Sequence, residues 1–185
     1  MRQYQIENYR IDIYDDRSFS ESSVDNINQY DLVHFEKSDY IFPSVFGIKV
    51  YEDGKLLKSA VIGSIGGGTG IHDKSVIIES DRILICCSDS IFCLSIPGLN
   101  LLWRTKADWA TCFGIHKYND NYIIHGELQI SLLNSSGEIV WQQSGRDIFT
   151  TLEGKDDFEI TDKFILVTDW ENRKYKFDFN GQVIA

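Results

Sequence analysis

Four glycines mark out a period along the chain. In EDGKLL, IPGLNLLW, SSGEIVW and FNGQVI they are Gly54, Gly98, Gly137 and Gly181, separated by 44, 39 and 44 residues. Each stands between an alternating run and a more apolar one, where a hairpin turn calls for positive φ. A unit of about forty residues built this way cannot bury its apolar face alone. Such units must stack, and the period is that of four-stranded propeller blades.

The text between the glycines agrees. From about residue 75 onward the chain reads VIIES, RILICC, SIFCLSI, LLWRTK, NYIIHG, LQISLL, EIVWQQ, KFILVTD, RKYKFDF and QVIA. These are short runs rich in β-branched and aromatic residues, parted by turn chemistry. A second marker, GIH, occurs at Gly70 to His72 and again at Gly114 to His116, just upstream of an apolar run each time. The third strands of the repeats are then FGIKVY, SIFCLSI, LQISLL and RKYKFDF, and the fourth are LLKSAVI, LLWRTK, EIVWQQ and QVIA. The expectation is an all-β single domain with four repeats of four-stranded antiparallel sheet, over residues 31–63, 70–106, 114–143 and 157–185. Residues 1–30 remain: QIENYRIDIYDD reads as one or two further strands and RSFSESSVDNINQYD as a polar loop. Those strands are suited to pairing with an open edge of the array. A four-bladed propeller, an incomplete one and a pair of twisted sheets share this signature.

At NSSGEIVW, Asn134 to Trp141, the chain resembles the repeat of quinoprotein-type (pyrroloquinoline quinone-like) β-propellers, in which a tryptophan four residues after the turn glycine docks between blades. Gly98 and Trp103 approximate the pattern with one extra residue, whereas Lys58 and Ala185 stand where the other two repeats would carry the tryptophan. The resemblance implies the fold and the packing role of Trp103 and Trp141. It implies no quinone cofactor, because the dehydrogenases of that family are much longer, exported and metal-dependent.

SIGGGTGIH, Ser64 to His72, resembles the GGGTG signature of tubulin-like GTPases, but Ile71 and His72 depart from it and no strand–turn–helix pattern surrounds it. In the repeat register it is a connection between blades, equivalent to KADWATCFGIH and QQSGRDIFTTLEGKDD. Ser64 lacks a nucleophile-elbow context. His34, His72, His116 and His125 lack metal-pair spacing, and Cys86, Cys87, Cys93 and Cys112 read as buried free thiols, with Cys86 and Cys87 on opposite faces of one strand. No motif argues for catalysis, a cofactor or a metal.

The net charge is −10, from 28 acidic and 18 basic residues. That field repels a phosphate backbone and attracts a basic partner. MRQYQIENYRIDIYDD lacks the apolar core of a secretory signal and no run is long enough to cross a bilayer, so the expected compartment is the cytoplasm, with no membrane partner.

Blade topology brings the inter-blade connections and the links between second and third strands to one face. The connections place Asp108, Trp109, Arg146, Asp147, Glu153, Asp156 and Asp157 there, and the links place Asp89, Glu127, Trp170 and Glu171. Aromatic anchors among carboxylates suit a protein interface. In size, charge and architecture the chain resembles small acidic bacterial immunity proteins. That resemblance implies a non-catalytic module that blocks a cognate toxin such as a basic nuclease domain. The alternatives are a ligand-binding or enzymatic propeller using the centre of the ring, and a scaffold protein.

Overall fold

The computed structural model describes residues 1–35, 38, 40–154 and 157–184. Every helix or strand element among them is a strand. In the first sheet β1 (Arg2–Ile6), β2 (Tyr9–Asp15), β4 (Ser44–Glu52) and β5 (Lys55–Ser64) are antiparallel neighbours, and β3 (Leu32–Phe35) lies outside β5, parallel to it. The second is β6 (Val76–Ile78), β7 (Arg82–Cys87), β8 (Ser90–Ser95) and β9 (Leu101–Lys106). The third is β10 (Cys112–Tyr118), β11 (Asn121–Gly126), β12 (Gln129–Leu133) and β13 (Ile139–Ser144). The fourth is β14 (Phe158–Ile160), β15 (Ile165–Thr168) and β16 (Lys174–Phe177), with a fourth strand reduced to the bridge between Phe177 and Val183.

Each sheet follows chain order, apart from the added β3, and the sheets stack face to face. One apolar cluster joins the first and second sheets through Ile13, Phe46, Ile48 and Ile62 on one side and Ile83, Ile85, Phe92 and Leu94 on the other. A second joins Leu84, Cys86 and Ile91 to Ile115, Tyr122 and Ile124, and a third joins Ile123 and Ile130 to Val167 and Phe177. Strands β7 and β8, sandwiched on both sides, are therefore apolar almost throughout, as strands with two buried faces must be. Cys86 enters the second cluster and Cys87 the first, on opposite faces of β7, and all four thiols are buried and free. Each fully buried aliphatic side chain contributes about 1.5–3 kcal/mol.

The sheets are propeller-like blades, but among the described residues no apolar cluster joins the fourth sheet to the first, so the array is open. The free face of the first sheet is covered by residues 16–31, between β2 and β3. Tyr30 Oη donates to Asp16, Asn28 Nδ2 donates to Asp16 Oδ2 (3.1 Å), Lys49 Nζ donates to Asn28 Oδ1 (3.1 Å), and Ser59 donates to Asp31 from both its N–H (2.8 Å) and its Oγ (2.9 Å). Gly47 admits this cover, since a Cβ there would collide with Tyr30 Oη.

Three details depart from expectation. The first sheet takes its first two strands from β1 and β2, and β3 is an added outer strand, because the polar segment after Asp16 leaves the sheet before the chain returns as β4. Gly54, Gly137 and Gly181 occupy hairpins at φ +76°, +82° and +80°, but Gly98 does not share that conformation. In its longer turn Leu99 takes φ +55°, and complete burial of its side chain in the first cluster offsets a backbone cost of about 1–2 kcal/mol. The GIH triplets are not equivalent: Gly70 to His72 precedes β6, whereas Gly114 to His116 lies inside β10.

Candidate functional site

Because the strands of each blade run in chain order, the inter-sheet connections and the links between second and third strands share one end, where the backbone laces them together. Gly67 N–H donates to Ala110 O (2.8 Å), Cys112 N–H to Ser88 O (2.7 Å), Glu127 N–H to Thr111 O (2.7 Å), Phe149 N–H to Glu127 O (2.6 Å) and Trp170 N–H to Ile148 O (2.9 Å). The glycine-rich stretch belongs to this lacing. Gly66 has φ +118° and a Cβ on it would lie 2.5 Å from Ala110 O, and one on Gly67 would collide with Thr111 Oγ1. These two glycines serve close approach between connections.

Two of the expected surface carboxylates support the face from beneath. Asp108 is buried: its Oδ1 accepts from the N–H groups of Ala110 (2.6 Å) and Thr111 (3.0 Å), and its Oδ2 from those of Leu128 (2.9 Å) and Gln129 (2.8 Å). Burial raises its pKa against the lowering effect of these four donors. Asp89 is buried as well, accepting from Ser64 Oγ (2.8 Å) and Ser90 Oγ (2.8 Å) and pairing with Lys106 Nζ (3.0 Å). Placing them at the surface overlooked that buried donors cut off from water need acceptors, four backbone N–H groups at Asp108 and two serine hydroxyls at Asp89.

The surface above them is apolar at its high points. Trp109 is 69% exposed, Trp170 45%, Leu128 36% and Leu152 82%. Lys106 Nζ sits 5.0 Å from the centre of the Trp109 ring, so Asp89 holds the cation that flanks that tryptophan. Glu153, Arg146 and Glu171 are exposed, and Glu127, Asp147 and Asp157 half-buried. Asp157 Oδ2 accepts from Thr150 Oγ1 (3.3 Å), Asp147 Oδ1 from Ile148 N–H (2.8 Å), and Glu171 pairs with Arg173. Asp156 lies outside the described residues.

Sequence reasoning missed Asp169, Leu128, Leu152 and Lys106. Asp169, fully buried, accepts from Glu171 N–H (3.0 Å), Arg173 N–H (2.9 Å) and Tyr175 Oη (2.7 Å) and so shapes the Trp170 turn. The available signal was positional. Asp16, Asp89 and Asp169 each follow an apolar second strand, in RIDIYDD, RILICCSD and KFILVTD, and each is buried. In the third sheet Asp108 reaches across to hold the corresponding link. Among the described residues no group of three or more His, Cys, Asp or Glu is arranged to hold a metal ion.

The chain is thus an open, all-β array of propeller-like blades, as strand order and stacking define it. It is similar in fold to solved structures of low identity. A computationally designed protein, Ika8, aligns at TM-score 0.52 and 11% identity over 77% of this chain and 45% of its own. BamB from Moraxella catarrhalis aligns at 0.46 and 17% identity over 76% of this chain and 41% of its own, and the WD40 β-propeller domain of Doa1 at 0.43 and 15% over 68% and 41%. The chain spans less than half the length of each of these three. No family model matches the sequence, and no curated protein matches it either.

Proposed function

We propose that the protein is a non-catalytic binding module whose connection face docks a basic protein. In its most specific form it is an immunity protein that covers the active site of a toxin such as a nuclease. One observation carries the reading: two exposed tryptophans, Trp109 and Trp170, stand on turns fixed from below by buried carboxylates Asp108 and Asp169. Fixed aromatic anchors lose little freedom on docking, and such residues dominate interface energetics. The net charge of −10 supports a basic partner by steering encounter.

Binding kinetics against the partner that co-purifies from the native cell test this. Trp109→Ala and Trp170→Ala raise the dissociation rate about tenfold or more, whereas Asp147→Lys with Glu153→Lys slows association and flattens its salt dependence. Unchanged rates in all of these variants rule the face out as the interface.

A further inference from the structure

The outermost strands of the four sheets differ in charge. Strand β5 carries Lys55 and Lys58 and has β3 beyond it, β9 carries Arg104 and Lys106, and β16 carries Lys174 and Lys176 and is bridged at Phe177 by Val183. Cations on an edge keep other chains from pairing with it. Strand β13 reads IVWQQS and has no charged side chain. It is the outermost strand of the third sheet and is bonded to β12 alone, and among the described residues no backbone group of Ile139 to Ser144 bonds beyond that sheet. A bulge at Val140 interrupts the ladder, but Trp141 to Ser144 face Leu132 to Gln129 in unbroken register. Alternate residues of that run therefore turn N–H and C=O outward.

Opposite charges bound this neutral run. Glu138 precedes it and Arg146 follows it; both are exposed, and the Arg146 side chain forms no ion pair among the described residues. A two-fold axis through Gln142 lays the run antiparallel on a second copy of itself, Gln142 on Gln142 and Trp141 on Gln143, with opposed residues on the same face of the sheet. At both ends Glu138 of one copy then comes to Arg146 of the other. Ile139 and Val140, 43% and 56% exposed, are covered by Gly145 and Ser144 of the other copy. We propose that β13 is a self-docking edge: two copies join through Trp141 to Ser144, merging two four-stranded third sheets into one continuous sheet closed at each end by a Glu138–Arg146 ion pair. This edge does not use Trp109 or Trp170.

The test is sedimentation velocity of the whole protein from about 10 μM to about 1 mM, where the unaltered chain forms dimers. Glu138→Lys and Arg146→Glu each set like charges against one another at both ends and weaken the dimer about fivefold or more. The variant carrying both exchanges restores opposite charges and returns to within about twofold of the unaltered protein. Trp109→Ala leaves the dimer unchanged. Amide exchange at the highest concentration shows added protection at alternate residues of Trp141 to Ser144. A monomer throughout, single variants that dimerise as well as the unaltered protein, a double variant no better than the singles, protection confined to other strands, or loss of the dimer in Trp109→Ala overturns the proposal.

Discussion

The indole of Trp103, on the last strand of the second sheet, lies flat on Gly137 in the turn of the third: a Cβ on Gly137 would fall 2.5 Å from Trp103 Cε3. The next pair repeats it, with Trp141 Cδ2 2.7 Å from a Cβ on Gly181. Each indole N–H also donates to a carbonyl two residues before its glycine, Trp103 to Ser135 O (3.3 Å) and Trp141 to Phe179 O (3.1 Å). The first sheet has Lys58 where its tryptophan would stand, and there His34 on the added strand bonds Leu99 O in the second sheet's turn. The glycine therefore does two jobs in the third and fourth sheets and one in the first.

Alanine substitution separates those jobs. Gly54 has positive φ, and a Cβ on it would meet nothing within 4 Å, so Gly54→Ala costs about 1 kcal/mol from backbone strain alone. Gly137→Ala and Gly181→Ala add displacement of an indole and cost about 2–4 kcal/mol. Urea unfolding of the three variants checks the order, and equal losses would show that the indoles do not rest on the turns.

Half-burial moderates the tryptophans themselves. Trp103 and Trp141 are neither exposed nor fully buried, so truncation to alanine costs less than the ~3–5 kcal/mol of a fully buried site. The repeat and its docking tryptophans were legible because turn chemistry and aromatic spacing are local. The role of β3 was not, since LVHF pairs in parallel with a strand that β4 separates from it in the chain, and nothing local specifies that partner. On the candidate face, Trp109 and Trp170 could be read as exposed from their turns, but the burial of Asp89 and Asp108 follows from which donors they cover, a tertiary fact.

Acid should loosen the contact between the third and fourth sheets. Phe158 stacks on His116 (4.7 Å between centroids) and His125 (4.6 Å). Burial, then the charges of His125 and Lys74, lower the His116 pKa from 6.5 to about 4, and burial lowers that of His125. Below pH 6.5 the unfolded chain binds more protons than the folded one, so stability falls as pH drops from 6.5 toward 4, by on the order of 3 kcal/mol from His116. Urea unfolding between about pH 7 and pH 4 should show that decline, flattened in the His116→Gln variant. A slope identical in the two proteins contradicts it.

Asp108 holds two turns at once, so its loss should act on both. Asp108→Ala leaves four backbone donors without their acceptor and costs about 3 kcal/mol or more. Amide exchange at Ala110, Thr111, Leu128 and Gln129 should accelerate together, ahead of the amides of β11. Acceleration confined to residues 110 and 111 would show that the two turns are held separately.

The central claim, that Trp109 and Trp170 are the anchors of a protein-docking face, is tested most directly by oxidative footprinting of the four tryptophans, free and in complex with the co-purifying partner. Trp109 and Trp170, the exposed pair, are expected to lose reactivity about fivefold or more on complex formation while Trp103 and Trp141 keep theirs. A complex in which Trp109 and Trp170 remain as reactive as in the free protein contradicts it.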